Sequence, residues 1–273
     1  MPVYHLVLIA IIQGLTEFLP VSSSAHLILL PSLTGLEDQG PVIDVAAHVG
    51  TLFAVVIYFW QDVRLALQGF PKVMRGQINT PPARLLIVLA IATVPVILAG
   101  LVFKLTGLSE TLRSITVIGW AMLIFGILLY LVDQKAQKAQ KIQKINILTW
   151  RDALVLGLWQ AIALIPGTSR SGITITGALW AGFTRTEAAR ISMLMSIPTI
   201  LASGTLTALD LIGGTVPLRD TSIVIVFSFG AAFLALSLMM RLLKTLSYTP
   251  YVIYRVLLGL GLLAIGYSGS LGF

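Results

Sequence analysis

The stretch that decides the fold is QGLTEFLPVSSSAH, residues 13–26. It lies between two apolar runs, LVLIAII (6–12) and LILLPSL (27–33), yet it contains an amide, a carboxylate, a proline, three serines and a histidine. Polar groups placed in lipid cost free energy unless they are paired or line a cavity. The stretch therefore predicts a discontinuous or re-entrant helix whose polar loop faces such a cavity.

The composition of the whole chain indicates a bilayer environment. Hydrophobic residues make up 57% of the chain and charged residues 11%, and the mean hydropathy is +0.95. Soluble domains have about 25% charged residues. The net charge of +7 does not indicate nucleic-acid binding, because the basic residues lie in loops and not with aromatic residues on one face. The absence of cysteine excludes disulfides, thiolate metal sites and a cysteine nucleophile.

Apolar segments of the length that spans a membrane occur six times. A spanning helix needs about 20 apolar residues, and the six segments are roughly 41–60, 84–103, 113–132, 187–209, 221–243 and 250–270. Two further apolar regions, 3–30 and 150–183, are each broken by proline and a polar cluster. The sequence predicts an all-α integral membrane protein with six transmembrane helices and two re-entrant helical hairpins.

The two broken regions resemble each other. QGLTEFLPVSSSAH and QAIALIPGTSRSG (160–172) both run from glutamine to proline and then to small hydroxyl residues, and Pro20 and Pro166 are 146 positions apart. Each half is then one hairpin followed by three spans. Because three is odd, the second half enters from the opposite face, which predicts an inverted-topology repeat. The halves, about 1–132 and 150–273, form one membrane domain joined by a basic connector, 133–149.

Lysine and arginine positions predict the orientation, because cytoplasmic loops carry the positive excess. If the connector is cytoplasmic, fourteen basic residues lie on that side and three on the other, while Arg170 lies in the second broken region. Those on the connector side are Arg64, Lys72, Arg75, Arg84, Lys135, Lys138, Lys141, Lys144, Arg151, Arg185, Arg190, Arg241, Lys244 and Arg255. Both chain termini are then predicted outside.

The repeat also predicts where the chemistry lies. The two proline loops are expected to meet near the midplane, each followed by a short helix whose N-terminus is suited to bind an anion. Arg170 suits bidentate contact with phosphate oxygens, and no acidic residue lies within ten positions of it. Gln13 and Glu17 are four residues apart and share a helix face. Asp44 and His48, also four apart, are candidates for an internal pair lining the site.

The motifs resemble those of the undecaprenyl-diphosphate phosphatase (bacitracin-resistance) family. The residues that carry the likeness are QGLTEFLPVSSSAH, PGTSRSGIT (166–174), DVAAHVGTLFAVVIYF (44–59) and EAARISMLMSIPT (187–199). The resemblance implies hydrolysis of undecaprenyl diphosphate to undecaprenyl phosphate and inorganic phosphate, with a divalent cation, Mg²⁺ or Ca²⁺. It also implies a multi-pass protein of the bacterial cytoplasmic membrane whose active site opens toward the outer face.

Mapped onto this chain, the resemblance and the residue chemistry give a candidate site. The catalytic candidates are Glu17, Ser23, His26 and Arg170; the substrate-binding candidates are Gln13, Ser22, Ser169, Ser171 and Thr174; and the metal candidates are Glu17 and Gln13. The nucleophile stays open between Ser23, His26 and water.

A different class of function is the alternative. Inverted repeats with broken helices are also the architecture of secondary transporters, so transport or flipping of a polyprenyl phosphate is the second hypothesis. A carrier needs anion-holding groups, whereas a hydrolase also needs a nucleophile and a proton-transfer group. The combination of serine, histidine, glutamate and arginine favours the hydrolase. Homodimer formation is left open.

Overall fold

The computed structural model describes residues 1–35, 38–138, 148–210 and 218–268. These residues form a bundle of α-helices, with a short 3₁₀ turn at Ile162–Leu164. The helices are α1 Val3–Phe18, α2 Ser23–Thr34, α3 Gly40–Tyr58, α4 Trp60–Met74, α5 Pro81–Thr106, α6 Leu108–Thr111, α7 Ile115–Lys138, α8 Trp150–Ala161, α9 Arg170–Trp180, α10 Arg185–Asp210, α11 Leu218–Leu242 and α12 Thr249–Ser268.

Among the described residues, six helices are long and apolar enough to cross a membrane, namely α3, α5, α7, α10, α11 and α12. They coincide with the six segments predicted from hydropathy, so the chain is an all-α, multi-pass membrane protein. Their ends follow local signals. Helix α5 begins with the proline pair at Pro81, where missing amide hydrogens cost nothing, and ends before Gly107, whose φ of 69° is left-handed.

The predicted connector is partly helical. Helix α7 continues to Lys138, six residues beyond the predicted end of the span at 132. Residues 139–147, which hold Lys141 and Lys144 of the predicted connector, lie outside the described residues. The chain is described again from residue 148, shortly before α8 starts at Trp150 with a capping box between Thr149 and Asp152.

Both broken regions form pairs of short helices. Helices α1 and α2 have 16 and 12 residues, and α8 and α9 have 12 and 11. Each is shorter than the about 20 residues that a crossing needs. The breaks fall at Pro20 and Pro166, because proline has no amide hydrogen to donate and its ring restricts the residue before it.

Helices of each half pack against helices of the other half. Helix α1 packs mainly against α11, and α8 packs mainly against α5, while α7 pairs with α12, and α3 packs against α11 and, less extensively, against α10. Glycines allow both close crossings. A β-carbon at Gly14 would lie 2.6 Å from the β-carbon of Ala231, and one at Gly157 would lie 2.6 Å from the carbonyl oxygen of Ala92. Small residues of this kind let membrane helices approach closely.

Helix α4 was not predicted, because the sequence in this region was interpreted as a loop. It is an amphipathic helix that buries Ala66 and Gly69 and exposes the apolar side chains of Leu67, Phe70 and Met74. Such a helix suits the membrane interface. Because it is short and contains charged residues, a search for apolar spans does not detect it.

The interpretation of Arg255 as a loop residue was wrong. It lies in the second turn of α12, and its side chain is 0% exposed. Without it the predicted charge asymmetry is thirteen basic residues against three, which still predicts a cytoplasmic connector. The error arose because the predicted loop was extended to the last basic residue before an apolar run, and this residue is buried between helices.

Candidate active site

Two turns with similar backbone conformations lie against each other in the fold. Ser22 precedes α2 with a φ of 76°, and Ser169 precedes α9 with a φ of 70°. These are the only positive-φ residues other than glycine in the described part of the chain. Each is also within hydrogen-bonding distance of a second serine, Ser24 at 3.2 Å and Ser171 at 3.1 Å between hydroxyl oxygens. Backbone strain of this kind persists only where the surroundings impose it, and it clusters at functional sites.

The carboxylate of Glu17 joins the two turns. Its Oε1 accepts a hydrogen bond of 2.9 Å from Arg170 Nη2, a residue 153 positions away. Its Oε2 accepts bonds from Ser23 Oγ at 2.7 Å and from Gln13 Nε2 at 2.9 Å, and His48 Nε2 lies 3.9 Å from it. Four groups of hydrogen-bonding or cationic character thus surround one carboxylate that is 8% exposed.

A cavity of about 230 Å³ opens beside this cluster. It is lined by Glu17, Ser22, Ser23, Ser24, His48, Val96, Ala163, Leu164, Ser169, Arg170, Thr199, Ile200 and Ser203. Polar groups from both turns therefore meet apolar groups from α5 and α10. A second space of about 310 Å³ between α3 and α10 shares His48 and Ser203 with it and is lined by Asp44.

Ser171 and Thr174 lie behind the cavity, fully buried. Ser171 Oγ donates to the carbonyl oxygen of Leu19 at 2.8 Å, which ties the second turn to the first. Thr174 Oγ1 lies 2.8 Å from the Arg170 carbonyl oxygen and 2.5 Å from Ser192 Oγ. Both hydroxyls are thus engaged with protein groups. Their predicted contact with substrate is not a feature of this geometry.

His26 points away from the cavity. Its Nδ1 lies 2.7 Å from the carbonyl oxygen of Ser22, and its Nε2 lies 2.5 Å from the hydroxyl of Tyr254 on α12. A carbonyl oxygen only accepts, so Nδ1 carries the hydrogen and donates to Ser22. The ring also stacks on Tyr254, with centroids 5.7 Å apart. The structure thus brings Glu17, Ser23 and Arg170 together and holds His26 at the back of the first turn.

His48 is the histidine nearest the carboxylate. Its Nδ1 lies 2.8 Å from the backbone carbonyl oxygen of Asp44, so its Nε2 is turned toward Glu17. The predicted side-chain pair of Asp44 and His48 is therefore a bond to the backbone, and the Asp44 carboxylate accepts from Gln39 Nε2 at 2.9 Å. Thr199 and Ser203 were not predicted, although their spacing of four places both on one face of α10.

The residues present fit a divalent cation only with help from a ligand. Within the described ranges, no cluster of three or more histidine, cysteine, aspartate or glutamate side chains is placed to hold a metal. Of the described carboxylates, Glu17 alone lines the cavity. Next to it, Gln13 Oε1 is buried without a hydrogen-bond partner. One carboxylate and one amide oxygen suit Mg²⁺, which typically completes its shell with substrate phosphate oxygens and water.

Comparison with known proteins identifies the family. The model of the family described as bacitracin resistance protein BacA matches residues 6–261. The chain belongs to the BacA family.

Relatives in that family match nearly the whole chain. A protein of Ruegeria pomeroyi named undecaprenyl-diphosphatase is 61% identical over 270 residues, covering 98% of this chain and 100% of the relative. A protein of the same name from Dinoroseobacter shibae is also 61% identical over 270 residues, with the same coverage. The more distant undecaprenyl-diphosphatase 2 of Stutzerimonas stutzeri is 43% identical over 272 residues, covering 98% of this chain and 100% of that protein. The BacA match spans both turns and the cavity between them.

Proposed function

We propose that this protein hydrolyses undecaprenyl diphosphate to undecaprenyl phosphate and inorganic phosphate, which regenerates the lipid carrier of cell-wall synthesis. The observation that carries the proposal is the contact of Glu17 with both Ser23 and Arg170 in a polar cavity, in a BacA family member whose relatives are named undecaprenyl-diphosphatase. A base, a hydroxyl nucleophile and a phosphate-binding cation are what phosphoryl transfer to a protein side chain requires.

Ser23 is the nucleophile in this mechanism. Its Oγ donates to Glu17 Oε2 at 2.7 Å, so the carboxylate is placed to take the hydroxyl proton as Oγ attacks the terminal phosphorus. The bond from that phosphorus to the bridging oxygen breaks, and undecaprenyl phosphate leaves with the electron pair. Glu17 gives its proton to the oxygen of the departing undecaprenyl phosphate. A water molecule then attacks the phosphoserine and transfers a proton to Glu17, the bond from phosphorus to Ser23 Oγ breaks, and Glu17 returns the proton to Oγ as inorganic phosphate is released.

Arg170 and the helix ends hold the phosphate groups. Arg170 gives Nη2 to Glu17, and its Nη1 has only a long contact of 3.4 Å with the carbonyl oxygen of Ser192. Other N–H groups of the guanidinium therefore remain free to donate to phosphate oxygens. The positive N-terminal ends of α2 and α9 add favourable electrostatic interaction with the same oxygens. Such preorganised donors stabilise the charge that develops on the transferred group.

A divalent cation, Mg²⁺ or Ca²⁺, is part of the proposal. Glu17 and the unpartnered Oε1 of Gln13 would hold it together with diphosphate oxygens. When bound, it would neutralise charge on the diphosphate. Gln13 also donates to Glu17, so it fixes the orientation of the carboxylate with or without the ion.

The proposed membrane arrangement is an inverted repeat of two halves, 1–132 and 150–273, each with a re-entrant hairpin. The reciprocal packing of α1 on α11 and α8 on α5 supports it, because a twofold axis in the membrane plane would exchange these pairs. The matching positive φ values of Ser22 and Ser169 support it as well. The excess of basic residues on the connector's side of the membrane predicts a cytoplasmic connector in the inner membrane of a bacterium, with the site opening outward.

Hydrolysis is favoured over transport of a polyprenyl phosphate. A carrier would use the anion-holding groups of the second turn, but it has no need of a serine hydroxyl bonded to a buried carboxylate. The Ser23–Glu17 hydrogen bond therefore distinguishes the two functions.

Phosphate release from undecaprenyl diphosphate by the purified protein tests the proposal. The wild type should release phosphate, and a chelator should suppress release until Mg²⁺ or Ca²⁺ is restored. Ser23→Ala should abolish release, whereas Ser237→Ala, which removes an exposed hydroxyl bonded only within α11, should not change it. A fully active Ser23→Ala variant would exclude Ser23 as the nucleophile.

A further inference from the structure

Arg255 is a buried cation whose hydrogen-bonding partners in the structure are backbone carbonyls. Its side chain is 0% exposed, and no acidic side chain in the described part of the chain forms an ion pair with it. Nη2 instead donates to the carbonyl oxygens of Thr168 at 2.8 Å, Gly167 at 3.1 Å and Ala121 at 3.4 Å. A charge at this depth is costly enough that a functional reason is expected.

The carbonyls that Arg255 binds belong to the second turn. Gly167 and Thr168 directly precede Ser169, the strained residue from which α9 and Arg170 begin. The turn is pressed against α7, because a β-carbon at Gly167 would lie 2.5 Å from the Ile118 carbonyl oxygen. Gly172 makes room for the guanidinium, since a β-carbon there would lie 2.9 Å from Arg255 Nη1. Arg255 thus fixes the backbone that aims Arg170.

The residue before Arg255 reaches the other turn. The hydroxyl of Tyr254 lies 2.5 Å from His26 Nε2, and His26 Nδ1 donates to the carbonyl oxygen of Ser22. Ser22 is the strained residue from which α2 and Ser23 begin. Consecutive residues of α12 are therefore connected to both turns, one directly and one through the imidazole.

We propose that Tyr254 and Arg255 are positioning residues that hold the two catalytic turns in register, so that Ser23, Glu17 and Arg170 stay aligned on one phosphate group. The inference rests on the proposed hydrolysis. Strained conformations persist only when neighbouring groups over-determine them, and α12 supplies such groups to both turns. The proposal also gives His26 a place in the site as the link between Tyr254 and the first turn.

Arg255→Lys tests the direct half of this arrangement. Lysine keeps the charge but replaces the planar fork by a point donor, so we expect kcat to fall about tenfold while KM changes less than about twofold. In the Arg170→Lys background, Arg255→Lys should lower kcat by less than about twofold. The effects of two substitutions do not add when one residue acts through the other. Wild-type kcat, or a full tenfold loss in the second background, would overturn the proposal.

Tyr254→Phe tests the other half with little risk to folding, because the ring is partly exposed and stays in place. Loss of the hydroxyl should lower kcat about threefold to fivefold, the equivalent of one neutral hydrogen bond. Tyr267→Phe is the matched control, since it removes a hydroxyl that lies 13 residues further along the same helix and accepts from Trp120 Nε1 at 3.2 Å instead of contacting either turn. Equal activity in the two tyrosine variants would contradict the proposal, even if Arg255→Lys does not fold.

Hydrogen–deuterium exchange without substrate separates this inference from the proposed hydrolysis. Backbone amides of residues 167–172 should exchange faster in Arg255→Lys than in the wild type, whereas those of α3 should not. Unchanged exchange in the turn would refute the positioning role, whatever the enzyme assay shows. Failure of the wild type to release phosphate would instead refute the proposed function.

Discussion

The two turns of the site share a backbone conformation but differ in chemistry. The first turn carries the nucleophile candidate Ser23 and adjoins the carboxylate of Glu17, while the second carries Arg170 and no acidic group. The first is held by a partly buried imidazole and an exposed tyrosine, and the second by a fully buried guanidinium. In the proposed mechanism, the base and the nucleophile therefore lie at the first turn and the phosphate-binding cation lies at the second. Neither turn alone carries all the groups that the proposed phosphoryl transfer needs.

The largest effect should come from the first turn. Glu17→Gln keeps the shape of the side chain but removes the base, so kcat should fall about 100- to 10,000-fold. Steady-state phosphate release in one detergent and one cation concentration measures it. Glu187→Gln, which alters a carboxylate paired with Arg190 at 3.3 Å away from the cavity, serves as the control. A fall of less than about tenfold would show that the first turn does not supply the base.

The second turn should show a smaller, graded effect. Arg170→Lys keeps the charge but loses one of two directed bonds to phosphate, worth about 1.5–3 kcal/mol. The expected loss is about 10- to 100-fold in kcat/KM, and Arg170→Ala should lose considerably more. Folding is checked by thermal melting. Near-normal kcat/KM in a folded Arg170→Lys variant would exclude a bidentate clamp.

The equivalence of the two halves can be tested through stability. Gly14→Ala and Gly157→Ala each force a methyl group against a neighbouring helix, so each should destabilise the protein by about 1–3 kcal/mol. Gly230→Ala is the control, since nothing lies within 4 Å of a β-carbon there. Thermal melting in detergent should show a lower Tm for Gly14→Ala and Gly157→Ala but not for Gly230→Ala. If one of them tolerates alanine freely, the reciprocal packing of α1 and α8 is not equivalent.

Loss of the hydrogen bond between Ser171 and Leu19, which connects the two turns, should have the smallest effect on activity. Ser171→Ala removes the hydroxyl that donates to the Leu19 carbonyl oxygen, a hydrogen bond worth about 1 kcal/mol. We expect about a fivefold fall in kcat with little change in KM. Ser228→Ala removes a buried hydroxyl bonded only within α11 and should leave kcat unchanged. A large increase in KM for Ser171→Ala would indicate that this hydroxyl contacts substrate, as the sequence predicted.

Much of this arrangement could be predicted from the sequence. The hydropathy of the spans located six helices, and the repeated order of glutamine, proline and serines indicated that Glu17 and Arg170 would meet. The partner of Arg170 lies 153 residues away, so it could be inferred from the repeat but not from local pattern. Arg255 was misplaced because burial between α7 and α12 is a tertiary property that a charge next to a loop does not disclose. The direction of the His26 ring also depends on a distant residue, Tyr254, so helical spacing from Ser23 could not reveal it.

The central claim is that the two turns form one site through the pairing of Glu17 with Arg170. A double-mutant cycle on thermal stability tests this claim without substrate. Breaking a buried ion pair by removing one partner leaves an uncompensated charge, whereas removing both partners avoids that cost. Thermal melting should therefore show a lower Tm for Glu17→Gln and for Arg170→Met, and recovery of most of that loss in the double variant. Losses in Tm that simply add in the double variant would contradict the pairing of the two turns.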